Sequence, residues 1–442
     1  MKRIDILGAG PAGLAAAHFA KKNNIPFQLY ESESKIGGNC KTFEFDGCKY
    51  DTGAHRFHNK NNIATQAVKD LIGDDLISVV APSKIYWQEK MINFPLDPVS
   101  VIKNFKTSTI FKIIAENLLN IFKRSLSINS FRDSAYRKYG KTISEIFLIS
   151  YTEKLWGTSS DLLDHKVSGD RLKNLNLLSV FKSLINPSKQ NTKHYEGEFL
   201  YPKYGYGQIF EVIGNKIKDH IFCDSAIEKI YHKNGLIKEL VLSGNKKIKT
   251  DNILSTLPID YFSKCLDPLP PNEIIDYAKS LSFRNLRLAI FTLGINRFSK
   301  NASIYFPEKN LPFTRIYEPK NRSSLMAPKN KTCIVVEVPY DKDDIYHTAK
   351  EDNFLDQIKS LLIKHNIINK SYFINSTSLI MPNAYPVLTT SSQKKLEKIN
   401  AYFDTFNNLK FIGRNAQFKY LHTHHLFKIA HNTINKFKNN KK

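Results

Sequence analysis

The chain has 442 residues, 42% of them hydrophobic, and a formal net charge of +24. This length can bury a large core and predicts two lobes, and no apolar stretch reaches the 18 residues of a membrane-spanning helix. The lysines are spread among asparagines and isoleucines rather than gathered in one patch. That spacing argues against a nucleic-acid partner, suits an anionic small molecule, and leaves peripheral contact with anionic lipid open.

In chain order, Met1 to Leu7 reads as a short buried strand. Gly8-Ala-Gly10-Pro-Ala12-Gly13 follows it, and Leu14 to Ala20 has the composition of a helix. A strand, a glycine turn and a helix in this order are what a dinucleotide fold requires. Gly8 permits the tight turn, Gly10 lets a pyrophosphate approach the backbone, and Gly13 lets the helix pack on the strand. The helix N-terminus, at Ala12, offers free N–H groups to the phosphates. Lys2-Arg3 before an apolar run also resembles the start of a signal peptide, but Asp5 and the glycines fit a nucleotide site better. A second strand, Phe27 to Tyr30, ends at Glu31, where a carboxylate is expected on the ribose hydroxyls. A second glycine pair, in Gly37-Gly38-Asn39, points to FAD rather than NAD, because flavoproteins bring backbone close to the cofactor there.

Further along, Phe43 to Tyr50 reads as a hairpin with Asp46-Gly47 as its turn. It leads into Gly53-Ala-His55-Arg-Phe-His58. Residues 100–180 read as mostly helical, with three and four spacing of apolar residues from Ile110 to Leu126. Strand-like tracts return at Leu236 to Leu242 and Ile253 to Thr256. Two more, Leu286 to Leu293 and Thr332 to Val338, suggest a separate substrate-facing sheet. A last strand at Leu409 ends in Gly413-Arg414, before a helical run from His425. The five cysteines, Cys40, Cys48, Cys223, Cys265 and Cys333, show no CxxC pair and read as free thiols of a reducing, cytoplasmic compartment. His422, His424 and His425 lack a cysteine or carboxylate at ligand spacing, so no metal site is expected.

Several motifs carry a resemblance. They are the N-terminal fingerprint, Ile36-Gly-Gly-Asn39, Gly53-Ala-His55-Arg-Phe-His58, Tyr151-Thr-Glu-Lys-Leu-Trp156-Gly157, Pro312-Phe-Thr-Arg315-Ile, Tyr385-Pro-Val387 and Gly413-Arg414. In order and spacing the chain resembles the FAD-dependent amine oxidase and protoporphyrinogen oxidase superfamily, near its UDP-galactopyranose mutase branch. The resemblance implies an α/β fold: a Rossmann-like, glutathione-reductase-like FAD-binding domain with an inserted helical subdomain and a mixed-sheet substrate domain. The expected division is 1–75 FAD-binding, 76–190 mainly helical cap, 191–256 return to the FAD domain, 257–394 substrate sheet and 395–442 C-terminal FAD-binding strand and helix.

The resemblance also implies site roles. His55 and Arg284 are expected beside the flavin as catalytic residues. Tyr151, Trp156, Arg315 and Tyr385 are expected on the substrate, with Arg315 as the diphosphate fork. Gly8, Gly10, Ala12, Gly13, Glu31, Gly38, Asn39, His55, Gly413 and Arg414 are expected on the cofactor. The C-terminal helix should aim its N-terminal amides at the flavin pyrimidine. Plain structural alternatives stand beside these roles: Trp156 as core packing, Arg315 as a structural ion pair, His55 and His58 as turn anchors.

Leu421 and His422 depart from the mutase pattern, where a tyrosine and an aspartate stand. Two chemistries therefore remain open for a small-molecule substrate, a UDP-sugar among the candidates. One is hydride transfer between substrate and flavin N5. The other is a non-redox isomerisation in which reduced FAD acts as nucleophile, with a place in surface-polysaccharide synthesis. A catalytically silent flavin-binding protein is a third. The sequence leaves the oligomeric state undetermined.

Overall fold

Short apolar runs become parallel strands here because both of their faces are covered. The computed structural model describes residues 2–96, 98–122, 128–168 and 198–439. The expected helical residues 123–126 and 169–180, and the last residues of the basic tail, lie outside them.

Strand β1 (Ile4–Leu7) is buried at every position. Helix α1 (Pro11–Lys22) starts with proline in its first turn, and its N-cap, Gly10, gives no side-chain cap. Strand β2 (Phe27–Tyr30) pairs parallel with β1, Ile4 opposite Phe27 and Leu7 opposite Tyr30. The hairpin of β3 (Thr42–Phe45) and β4 (Cys48–Asp51) turns through Asp46 and Gly47, at φ of 50° and 73°. Both central residues with positive φ is the turn whose twist suits a two-residue hairpin.

Next come a second hairpin, β5 (Ser83–Trp87) and β6 (Lys90–Phe94), and three helices, α2 (Thr107–Phe122), α3 (Phe131–Tyr139) and α4 (Ser150–Trp156). A π-helical turn, Ser144–Ile149, leads into α4. The remaining strands that position the site are β7 (Ile221–Phe222), β8 (Asn252–Ser255), β9 (Phe283–Leu293), β10 (Ser303–Tyr305), β11 (Arg315–Tyr317), β12 (Thr332–Tyr340), β13 (Phe373–Pro386) and β14 (Leu409–Phe411). Helix α5 (Thr423–Asn439) closes the described chain.

A five-stranded parallel sheet runs in the order β14-β8-β1-β2-β7, so that strands from both ends and the middle of the chain meet around β1. Helices α1 and α5 pack together beside it. This is the expected Rossmann-like α/β layer. The second layer is a seven-stranded sheet in the order β13-β9-β12-β11-β10-β5-β6, antiparallel except at β10 and β5. A smaller four-stranded sheet is formed by Ile227–Lys233, Leu236–Leu242, Lys246–Lys249 and Leu266–Asp267.

The segment from 76, expected to be mainly helical, begins instead with strands. Leu76–Val80 pairs with Glu198–Pro202, and β5 and β6 extend the seven-stranded sheet. The β5–β6 turn is Gln88-Glu89, with φ of 48° and 59°, and neither residue type ordinarily announces such a turn. The helices that follow share a small core with this hairpin, built on Ile85, Ile92, Leu96, Ile113 and Phe147.

The close packing of α1 on β1 is testable at one atom. A Cβ on Gly13 would lie 2.0 Å from the carbonyl oxygen of Gly8. Gly13→Ala is therefore expected to lose about 1–3 kcal/mol in urea unfolding, the usual cost of overpacking, and to purify with much less bound flavin. An unchanged midpoint with full flavin content would contradict this packing.

Candidate active site

A cavity of about 590 Å³ opens where the parallel sheet meets the antiparallel one. Its floor is made by the loops that follow β1, β8 and β14, through Gly10, Thr256 and Gly413. Its walls come from β9, β11 and β13, through Leu286, Arg315 and Tyr385, and from α3 and α4, through Phe131 and Trp156. Ligands bind in this position in doubly wound folds, at the carboxyl ends of the strands.

The floor is shaped for a dinucleotide. Gly8, at φ +96°, sits where a Cβ would strike Thr256 Oγ1 at 2.3 Å. Gly10 and Gly38 face each other, and a Cβ on Gly38 would meet the Gly10 Cα at 3.0 Å. Pro11, Ala12, Gly38 and Asn39 line the slot between the two glycine loops. The first turn of α1 has no acidic residue and no side-chain cap, so its N–H groups and partial positive charge are free for a pyrophosphate. Gly413, at φ +98°, brings the loop after β14 within 3.1 Å of Ala12 when a Cβ is placed on it. The N-terminus of α5 reaches the same cavity through Thr423 and His424. The cradle thus fits FAD on a feature a side chain would destroy.

Glu31 directly follows β2, where it is expected, and its carboxylate is engaged by backbone. It accepts the Ala9 N–H at 2.6 Å and the Glu33 N–H at 3.1 Å. The amides of the two surrounding loops need an acceptor, and Glu31 supplies it. Ser32 and Glu33 line the rim, with Glu33 paired to Lys41.

His55 stands on the cavity wall with its ring stacked on Tyr206, centroids 5.0 Å apart. Thr52 ties its loop to the second glycine pair: its hydroxyl donates to the Asn39 carbonyl at 2.8 Å and accepts the Lys41 N–H at 3.1 Å. Beneath, the buried Asp51 carboxylate accepts from Tyr201, from Thr42 at 2.7 Å and from the Tyr206 N–H at 2.9 Å. Burial, then the charges of Arg414, Arg315 and Arg322, push the His55 imidazole down to about 3. The ring is therefore neutral at physiological pH and acts as a packing and hydrogen-bonding group. The Cys40 thiol, 4.0 Å from His55 Nδ1, is pushed up to about 12 by burial.

Arg315 lines the cavity, but its fork is already engaged. Its Nε and Nη2 donate to the two oxygens of Glu337 at 2.8 and 2.7 Å, and the Glu337 side chain is 2% exposed. The two residues are direct cross-strand neighbours on β11 and β12. Glu337 also accepts the Ala54 N–H at 3.1 Å, beside His55. Burial works against the charge of this guanidinium, and the Glu337 carboxylate more than offsets it, with Tyr385, Tyr305 and Tyr151 facing the same group. The sequence signal for Glu337 is a single acid in the otherwise uncharged run of β12, which is buried throughout. A carboxylate there needs a cationic partner.

Trp156, Tyr385 and Tyr420 form an aromatic group, with Trp156 centroids 5.7 and 5.8 Å from the two tyrosines. Arg414 lies over Tyr385 and Tyr420 and donates to the carbonyls of Leu421 and Ala384 at 2.8 and 3.0 Å. Of the expected residues, the structure brings together Gly10, Ala12, Gly38, Asn39, His55, Tyr151, Trp156, Arg315, Tyr385, Gly413 and Arg414. Gly8 and Gly13 lie behind the floor and shape it.

Arg284 is not in this cavity. It ion-pairs with Asp341, and its Nη2 donates to the Lys154 carbonyl at 3.3 Å. The guanidinium packs against Gly157, where a Cβ would meet it at 2.7 Å. It caps the C-terminal end of α4 from behind, beside the turn that follows Trp156. The intervening motif residues are structural too. Lys154 Nζ donates to the carbonyls of Glu308, Leu311 and Phe313 at 2.7, 2.8 and 3.1 Å, and burial pushes it down to about 7. Glu153 accepts from the Ser160 N–H and hydroxyl and from Arg132. At the mouth, His58 meets His422 edge-on, and His422 stacks on His424 at 5.7 Å.

Two outcomes are expected from this geometry. Breaking a buried pair from one side leaves an unpaired charge and costs about 3–5 kcal/mol, more than replacing both partners with apolar groups. Glu337→Ala should therefore be less stable to urea than Arg315→Met/Glu337→Leu, and the reverse order would refute the pairing. For His55, the folded group resists the proton that the unfolded chain binds at 6.5, so its contribution to stability is full above pH 6.5 and is lost as the pH falls toward 3. The melting temperature of His55→Phe should fall less steeply than that of the wild type across this window. Equal slopes would show that His55 is not held neutral. His18, pushed down to about 4 by burial, contributes to both curves alike.

Comparison with known proteins agrees with this construction. Residues 6–71 match the profile of an NAD(P)-binding Rossmann-like domain, and residues 146–374 match that of UDP-galactopyranose mutase. Among curated proteins, coproporphyrinogen III oxidase of Bacillus subtilis is 24% identical over 65% of this chain and 66% of its own. A mitochondrial protoporphyrinogen oxidase of Nicotiana tabacum is 24% identical over 45% of each chain. The match thus spans less than two thirds of either relative. A crystal structure of reduced UDP-galactopyranose mutase superposes with a TM-score of 0.85 at 18% identity, over 99% of this chain and 94% of that one. A putative protoporphyrinogen oxidase from Exiguobacterium sp. 255-15 gives 0.77 at 15% identity, over 100% and 99%. The mutase profile covers just over half of the residues, and the chain therefore belongs to the UDP-galactopyranose mutase family of FAD-dependent flavoenzymes.

Proposed function

We propose that the protein is an FAD-dependent oxidoreductase that moves a hydride between a substrate carbon and the flavin, in the cytoplasm. The observation that carries this reading is the occupied fork of Arg315. A diphosphate anchor needs both parallel donors of a guanidinium, and here Nε and Nη2 are given to a buried carboxylate. Arg284, another arginine expected at the site, is spent on Asp341 and the end of α4. The far wall of the cavity is apolar, built from Ile85, Phe94, Leu96, Phe131, Phe147 and Leu148. A substrate with a neutral or apolar reacting portion suits these surfaces better than a nucleotide sugar. All five cysteines are free thiols, in keeping with a reducing compartment.

FAD in the glycine cradle supplies the hydride-accepting centre, which is chemistry no side chain offers. Gly10, Ala12, Gly38 and Asn39 would hold its pyrophosphate and ribityl portions, and Arg414 and the N-terminus of α5 would face it from the opposite loop. The neutral His55 ring would fix one face without competing for a proton. Tyr151, Trp156 and Tyr385 would orient the substrate as a rigid aromatic wall, which is worth more to the rate than binding strength alone. The isomerase reading keeps one specific support, the family to which the chain belongs.

An anaerobic assay separates the two. Dithionite-reduced holoenzyme incubated with UDP-galactofuranose is expected to yield no UDP-galactopyranose by chromatography. Conversion that requires reduced flavin would replace the hydride reading with the mutase one. Oxidised holoenzyme is expected to bleach its yellow band when a hydride donor with an apolar portion is added.

A further inference from the structure

Helix α2 is apolar on two sides. Inward, Ile113 is 2% exposed and packs in the small core that also holds Leu96 and Phe147, both of which line the cavity wall. Outward, Phe111, Leu118 and Leu119 are 68%, 54% and 57% exposed. Positions 111, 118 and 119 fall on one face of a 3.6-residue helix, so these side chains form a ridge. The exposed Lys103, Lys106 and Lys112 lie beside it in the chain. From Pro98 to Ile128 the sequence has one acidic residue, Glu116, against five basic ones. Glu116 is turned inward, accepting the Thr142 N–H at 2.7 Å and its hydroxyl at 2.8 Å.

We propose that this face of α2 docks on an anionic phospholipid surface. A helix with an apolar ridge and lysines beside it lies in the plane of a bilayer interface, the ridge among the acyl chains and the ammonium groups at the phosphates. A net charge of +24 adds long-range attraction to the same partner. Charge speaks against the other occupants. A two-fold contact with a second copy would gather the lysines of both chains on one interface. Residues 169–197, outside the described structure, carry five basic and two acidic residues and would meet the lysines with like charge. The docked helix shares its inner core with Leu96 and Phe147 of the cavity wall, which would bring a membrane-borne amphiphile near the site. The contact rests on the surface of α2 and goes beyond the hydride-transfer reading without depending on it.

The test is co-sedimentation of the FAD-loaded full chain with vesicles of phosphatidylcholine, with and without phosphatidylglycerol. The wild type should partition onto the phosphatidylglycerol vesicles. Phe111→Ser/Leu118→Ser/Leu119→Ser, which keeps every charge, should lose on the order of tenfold or more of that partition with an unchanged flavin spectrum. Lys106→Gln/Lys112→Gln should lose part of it, chiefly at low salt. Unchanged binding by the triple variant would mean diffuse charge attraction alone and would overturn the assignment. No binding by the wild type would also overturn it. In that case a wild-type dimer that the triple variant dissolves would assign the ridge to a second copy.

Discussion

The placement of the site hangs on one buried carboxylate. Glu337 lies in the middle of a strand with no other charge, where an isolated anion would be untenable. It is stabilised from two directions, by the fork of Arg315 on the neighbouring strand and by the Ala54 amide of the nucleotide loop. The first contact fixes the cross-strand register of the antiparallel sheet. The second fastens that sheet to the loop carrying His55. Two layers are thereby held together at this point, and neither charge can leave without stranding the other.

The same device recurs around the cavity. Asp51 gathers Thr42 from across its own hairpin and Tyr201 and the Tyr206 amide from a segment distant in sequence, and its backbone carbonyl accepts from Tyr317. Lys320 places its ammonium among the carbonyls of Asn296, Lys329 and Lys331. Each of these groups is buried and each is satisfied mainly by backbone or by aromatic hydroxyls. Part of the cavity wall, from Ile85 to Leu148, can stay apolar because groups such as Asp51 set its shape without lining it.

How much of this was legible in the sequence depended on whether the signal was local. The glycine fingerprint, the Asp46-Gly47 hairpin and the strands at Leu236 and Thr332 are written in short windows, and all are present. The β5–β6 hairpin was not legible, because Gln88 and Glu89 adopt a turn that their own propensities oppose. Strand β13 was missed for a different reason: it lies at an edge of the sheet and exposes Asn375, Ser376 and other polar residues that read as loop. For the site, most residues near the motifs line the cavity, while two side chains point elsewhere. Arg284 and Glu31 fall where expected along the chain, yet their side chains answer to neighbours, Asp341 and Ala9, that no linear pattern reveals. Glu337, with no motif around it, needed a partner to be noticed.

The Lys154 ammonium has a mechanical side. It grows from α4, the helix that ends in Trp156, and holds the carbonyls of Glu308, Leu311 and Phe313 in the 308–313 loop, which runs directly into Arg315. Two faces of the cavity, the tryptophan side and the arginine side, are thus riveted at a single point. A load placed on one of these faces is therefore carried by the other.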